Sequence, residues 1–298
     1  MEIVRIQSPD QSAFFELIPA YGGMLTQLNW NGNVIDIPFS DQFANNENPY
    51  HPSALLSPWV NRVRNGNYSF EGRNYQLPIN EPNLGNAIHG LLARKPFEIS
   101  QENSKATLSY LYNAEEKAYP FPFEMQLIYS FTEENIFQMR FTAKNTGEGN
   151  MPFACGWHPY FNLTEGNLAD WSIRFDSLSK FHSDSQMIPL REENYDASAG
   201  VNLGEEVLDN VFRLKSKDKH ITQLYNKSKK ESLYFEQSSI DFPFLVVFAP
   251  ENSNCVAIEP MSANTDAFNT GDGLRILAPG ECFDSTVKIW HVKADKAD

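Results

Sequence analysis

Eight consecutive residues, Phe137 to Lys144, alternate apolar and polar side chains without a slip: Phe137, Met139, Phe141 and Ala143 against Gln138, Arg140, Thr142 and Lys144. A period of two puts one set on each face of an extended strand, whereas a helix repeats its faces every 3.6 residues and could not bury this pattern. The stretch from Phe123 to Phe131 repeats it, with Met125, Leu127, Tyr129 and Phe131 on one side, and a weaker version runs through STVKIWHV near the C-terminus. Turn residues are dense between such runs. Asn31-Gly32 separates LNW from NVIDI and Glu71-Gly72 separates NYSF from RNYQL, pairings that accept the positive φ of a two-residue hairpin. Short helical turns are expected only around SDQFANN and TEGNLADW.

No segment sustains helical periodicity, and strands do not alternate with helices as they do in a parallel sheet. The expectation is an all-β chain: one antiparallel domain spanning residues 1–298, with two large sheets packed face to face as a β-sandwich. A chain of this length buries about three quarters of the surface it would expose unfolded, so its core needs no disulfide or metal staple. The three cysteines, Cys155, Cys255 and Cys282, are odd in number and lack C-x-x-C spacing, which suggests a reducing compartment. The first residues, MEIVRIQSPDQ, have no basic segment followed by an apolar run, and no stretch approaches the ~20 apolar residues of a membrane span. A soluble, cytoplasmic protein is expected.

Formal net charge is −14, from 38 acidic and 24 basic residues, which argues against nucleic acid and anionic membrane as partners. A Walker loop, G-x-G-x-x-G, G-x-S-x-G and H-E-x-x-H are all missing. None of the six histidines forms an i, i+2 or i, i+4 pair, so only a site assembled from distant residues would hold a metal. Chemistry without metal or cofactor is the expectation.

Polar residues set among apolar ones are the candidates that remain. Glu259 follows the apolar run VAI and precedes Pro260, so its strand is expected to end there, with the carboxylate emerging at a sheet end or rim. On spacing alone a solvent-facing glutamate at a strand terminus explains it at least as well as a functional one. His158, in FACGWHPYFNL, has the same two readings, and a satisfied core histidine is the commoner fate of such a residue. His89 precedes Gly90, where a tight backbone turn lets a ligand approach. Arg62 and Arg64, in NRVRNG, would share a face if they lie on a strand, and Arg62 could equally be an arginine paired to a carboxylate.

Taken together and in order, NRVRNGNYSFEGRNYQL, NAIHG, GWHPYFNL, VLDNVF and VAIEPMSANTDAFN, closed by LAPGECF, resemble the aldose 1-epimerase (mutarotase) family over most of the chain. The resemblance implies a large antiparallel β-sandwich with a sugar cleft on one sheet face. It implies His158 as general acid toward the ring oxygen and Glu259 as base toward the anomeric hydroxyl. A carboxylate is a ready base at neutral pH, and an imidazole can hold and give a proton there. Arg62, His89 and Asp209 would hold sugar hydroxyls. A small-molecule aldose would be the partner of a monomer or homodimer needing no cofactor. Two alternatives belong to other classes: a non-catalytic sugar-binding or sugar-sensing protein on the same fold, and a two-carboxylate glycoside hydrolase using Glu259 with Asp209 or Asp266.

Two departures from the pattern bear on the choice of sugar. Leu91 stands where many members have a second glycine after H-G, and would crowd the cleft near His89. Trp157 stands where galactose-directed members often have asparagine, and would wall the site beside the acid. A phosphorylated hexose would call for a cluster of arginines, for which Arg62, Arg64, Arg73 and Arg94 are available.

Overall fold

The computed structural model describes residues 2–30, 33–36, 50–162, 168–250 and 255–293. Two large antiparallel sheets dominate. The nine-stranded sheet runs, in spatial order, Glu98–Glu102, Lys105–Tyr112, Phe123–Phe131, Phe137–Asn145, Cys282–Lys293, Glu231–Gln237, His220–Asn226, Trp171–Arg174 and Val201–Asn202. The eight-stranded sheet runs Pro189–Asn194, Ser177–Ser183, Asp209–Leu214, Phe244–Phe248, Cys255–Met261, Gly156–His158 and Ala54–Leu56, with Tyr160–Asn162 also pairing along Cys255–Met261.

The alternation read from the sequence is what the first sheet buries. Met125, Leu127 and Tyr129 sit opposite Ala143, Phe141 and Met139 in the register of their two strands, and all six side chains are buried. That face packs on the second sheet: the ring of Phe235 lies 6.5 Å from Trp157 and 6.4 Å from Phe161, and Phe141 meets Phe242 at 5.5 Å. Burying each large apolar side chain contributes about 1.5–3 kcal/mol, so this interface supplies most of the drive to fold. A four-stranded sheet, Val4–Gln7, Ala13–Ile18, Met24–Trp30 and Asn33–Asp36, adds Phe15 against Phe131 and Phe137.

The hairpin at Glu71-Gly72 is present, with φ of 47° and 75°, between Asn67–Phe70 and Arg73–Gln76. Asn31-Gly32 and SDQFANN lie outside the described residues, and of TEGNLADW the described part contains one 3-10 turn, Leu168–Asp170. Among the described residues no helix is long and apolar enough to cross a membrane.

The central strands of the eight-stranded sheet are buried on both faces, which alternation alone does not lead one to expect. Its strand Phe244–Phe248 reads FLVVF, apolar at every position. Leu245 and Val247 join the inter-sheet core, while Phe244 and Val246 join a second apolar cluster with Ala54, Leu56, Val211 and Met261 on the outer face. A strand covered on both sides is written as a continuous apolar run. The polar side chains described next stand on that outer face.

Candidate active site

Glu259 lies inside its strand, not at the end of it. Cys255–Met261 continues through Pro260, Glu259 is opposite Val246, and only 2% of the residue is exposed. The expectation of a carboxylate at a strand terminus is therefore corrected. Ile258 N–H donates to Pro159 O and Ser262 N–H to Cys155 O, so by alternation the Pro260 nitrogen faces the same neighbouring edge. There the pairing is interrupted, being made at Gly156–Met261 and again at Tyr160–Ala257. A proline at a gap in the ladder removes no hydrogen bond. Gly156 belongs to the same accommodation, since a Cβ on it would meet Pro260 O at 2.7 Å.

His158 ends the strand Gly156–His158 and is buried, its Nε2 lying 3.3 Å from Glu259 Oε1. Its Nδ1 and the other carboxylate oxygen, Oε2, have no hydrogen-bond partner among the described residues. Two residues on, Tyr160 shares its face and stacks on the imidazole, with ring centroids 5.0 Å apart and planes 25° apart. Trp157, between Gly156 and His158, points the other way. It is fully buried in the inter-sheet core, where its Nε1 donates to Ser53 Oγ at 3.1 Å. The expected wall beside the acid is thus not there, because neighbours on a strand face opposite sides of the sheet. Leu91, two residues after His89, is partly buried and packs against the main core.

His89 follows the two-residue strand Ala87–Ile88 in a left-handed conformation, φ 61°, and donates its N–H to Asn61 O at 2.9 Å. Such a backbone costs about 1–3 kcal/mol outside glycine and persists only where its surroundings impose it. Here Asn80 brackets the preceding residue, accepting from Ile88 N–H at 2.7 Å and donating to Ile88 O at 2.9 Å. At Gly90 a Cβ would fall 2.1 Å from Ser57 O, so only glycine fits. The His89 ring meets His158 edge-on at 5.2 Å and His51 at 4.7 Å. Sequence reading does not single out His51, although His51-Pro52 repeats the dipeptide His158-Pro159. The two segments are joined directly, with Ser53 N–H donating to His158 O at 2.7 Å.

Arg62 begins the strand Arg62–Val63, paired with Ala87–Ile88. Its Nε and Nη2 grip Glu81 at 2.8–3.1 Å, and Nη1 donates to Asn61 Oδ1 at 3.2 Å. Glu81 is held in turn by Asn86 Nδ2 at 3.2 Å. The planar fork is therefore fixed in orientation by a partner that sequence reading does not identify. Arg64 does not share the role of Arg62: it starts a 3-10 turn and binds Asp184 and Gln186. Asp209 opens Asp209–Leu214 opposite Phe248 and remains exposed to solvent.

Burial sets the charge states. It drives the Glu259 carboxyl well above the usual carboxylate range, with the Asp209 charge adding to the effect and Arg62 opposing it. It drives His158 down to about 3, and His51 to about 4 with help from the Arg94 charge. His89 is also pushed well below an ordinary imidazole, first by burial and then by His51. Asp209, although solvent-exposed, is raised on balance by partial desolvation, against which the Arg62 charge pulls it down. Desolvation penalises whichever form carries charge, so burial favours a protonated Glu259 beside a neutral His158. This environment favours the protonated carboxyl of Glu259 in the empty site. No group of three or more His, Cys, Asp or Glu residues among the described ones is arranged to hold a metal ion.

A large antiparallel β-sandwich with buried imidazole and carboxyl in contact on the outer face of one sheet places the chain among the galactose mutarotase-like folds. Residues 10–290 match the aldose 1-epimerase family model, and the chain belongs to that family. It is 26% identical over 272 residues to the uncharacterized protein YihR of Escherichia coli, covering 89% of this chain and 86% of that one. Its fold resembles a galactose mutarotase-like protein of Clostridium acetobutylicum (TM-score 0.85, 20% identity, 98% and 95% of the two chains). It also resembles a GalM/aldose epimerase homologue of C. elegans (TM-score 0.84, 18% identity, 99% of each chain).

Proposed function

We propose that the chain is a working aldose 1-epimerase whose acid–base pair is His158 and Glu259. The observation that carries this is their contact, 3.3 Å between Nε2 and Oε1, in a buried site. Anomer exchange requires one proton to leave the C1 hydroxyl and another to reach the ring oxygen. Both oxygens are bonded to the same carbon, so the two proton carriers must stand close together.

The forward step starts from the form in which the pair's single proton has passed from Glu259 to His158 across their contact, leaving Glu259 the carboxylate. Glu259 takes the O1 proton, His158 gives its proton to O5, and the C1–O5 bond breaks to leave the open-chain aldehyde. Rotation about C1–C2 presents the other face of the carbonyl. Reclosure reverses every transfer, and the pair ends with the single proton it began with. Arg62, His89 and Asp209 hold sugar hydroxyls around the reacting carbon, Arg62 through the N–H groups that Glu81 leaves free. Each proton carrier of this kind contributes about 10²–10⁴-fold.

The test is anomer exchange, followed by polarimetry or NMR, across free and phosphorylated aldoses, with Glu259→Gln as the blank. Acceleration with at least one aldose, abolished in the blank, is the expected result. Absence of acceleration with every sugar would refute the reading, and release of reducing sugar from a disaccharide would favour the hydrolase instead.

A further inference from the structure

The hydrogen bonds that hold the Arg62 fork do not stop at Glu81. Asn86 is completely buried and donates its amide hydrogens to two partners, Glu81 Oε2 at 3.2 Å and the backbone carbonyl of Gln186 at 2.8 Å. Gln186 lies 100 residues further on, at the tip of the hairpin made by Ser177–Ser183 and Pro189–Asn194 at the edge of the eight-stranded sheet. The tip is braced from within, because Asp184 Oδ1 accepts from Gln186 N–H at 2.8 Å and from Ile188 N–H at 3.1 Å. It is also tied from outside. Arg64 donates to Asp184 Oδ2 at 2.6 Å and to Gln186 Oε1 at 2.9 Å, and Gln186 Nε2 donates to Asn65 Oδ1 at 3.2 Å and to Leu84 O at 3.1 Å. Among these contacts of the described residues, that of Asn86 alone continues to a group in contact with Arg62.

We propose that Asn86 is a positioning residue of the candidate site, tying the carboxylate that aims Arg62 to the docked hairpin tip. A carboxylate fixes the plane of a guanidinium only as firmly as it is itself held. The backbone around Glu81 is closed by Gly85 N–H donating to Glu81 O at 2.9 Å, which leaves the side chain to be steadied by Asn86. The sugar-binding task of Arg62 rests on the mutarotase reading, whereas its orientation by Asn86 does not.

Asn86→Ala should raise KM about three- to tenfold for the fastest aldose of a panel of D-glucose, D-galactose, D-xylose and L-arabinose, with kcat less affected. A purely structural asparagine would lower the melting temperature and leave KM alone. The discriminating measurement repeats the substitution in an Arg62→Ala background, where it should cause no further rise in KM while still lowering the melting temperature. Arg64→Met provides a second variant, at the partly exposed outer end of the same chain of contacts. It frees the tip without opening the core and should raise KM about threefold, again only while Arg62 is present.

The NMR signal of the Arg62 Nε–H, identified by its loss in Arg62→Ala, reports the orientation without any sugar. Its exchange with water should be about fivefold faster in Asn86→Ala and Arg64→Met than in wild type. Exchange as slow as wild type in both variants, or a KM rise that persists after Arg62 is removed, would overturn the assignment. If wild type accelerates the anomer exchange of no aldose while both variants quicken the Nε–H exchange, the mutarotase reading fails and the positioning of Arg62 by Asn86 stands.

Discussion

Ile258 and Glu259 are neighbours on one strand and face opposite environments. Ile258 joins the inter-sheet core with Trp157, Phe161 and Phe235, where the packing is dominated by apolar side chains. Glu259 faces outward with His158 and Tyr160, where three buried residues keep polar atoms that no described residue satisfies. One face supplies the stability that lets the other carry unpaired groups. The strand joins them so tightly that a side chain's role follows from the parity of its position.

The largest expected effects fall on the outward face. Glu259→Gln and His158→Asn should each slow anomer exchange by about 10²–10⁴-fold while leaving sugar binding measurable by titration. Neither should lower the melting temperature, since each removes a charge-bearing group from a buried site. The inward face should behave in reverse. Trp157→Ala should destabilise by about 3–5 kcal/mol in denaturant melts, with KM unchanged at temperatures where the variant stays folded. A changed sugar preference without lost stability would break the contrast and return Trp157 to the site.

The pH dependence of stability sharpens it further. The folded pKa of Glu259 is raised, so folding gains from its proton at low pH and that gain is lost as pH rises through the folded value. Wild type should therefore fall progressively below Glu259→Gln in melting temperature as pH rises from about 5 to about 8. His158 has the opposite sign: lowered to about 3, it makes wild type lose ground to His158→Asn as pH falls from about 6.5 toward 4. Temperature gaps that stay flat with pH would contradict both assignments. The smallest effect is expected at Glu81, whose loss frees the Arg62 fork. Glu81→Gln should raise KM about three- to tenfold with kcat less affected, and Glu81→Asp should recover part of the difference.

Much of this was legible in the sequence because a period of two is a direct statement about faces. The strands that alternate most strictly, carrying Met125, Leu127 and Tyr129 against Met139 and Phe141, pair as that pattern requires. The same rule read one residue further would have sent Trp157 into the core once His158 was given to the cleft, and would have put Tyr160 beside it. Pro260 misled because whether a proline ends a strand depends on the neighbouring strand, here one broken at Pro159, and no local rule contains that. Glu81 and His51 were invisible for a related reason. An ion pair across 19 positions, or a ring contact from His51 to His89, is created by the loops that bring them together.

The claim that Glu259 and His158 act as a single proton-sharing unit is tested most directly by anomer-exchange rates of wild type, Glu259→Gln, His158→Asn and the double variant, measured on one aldose. Two groups that pass one proton lose their function together, so the double variant should be no slower than the slower single variant. Losses that multiply in the double variant, or a single variant as fast as wild type, would contradict it.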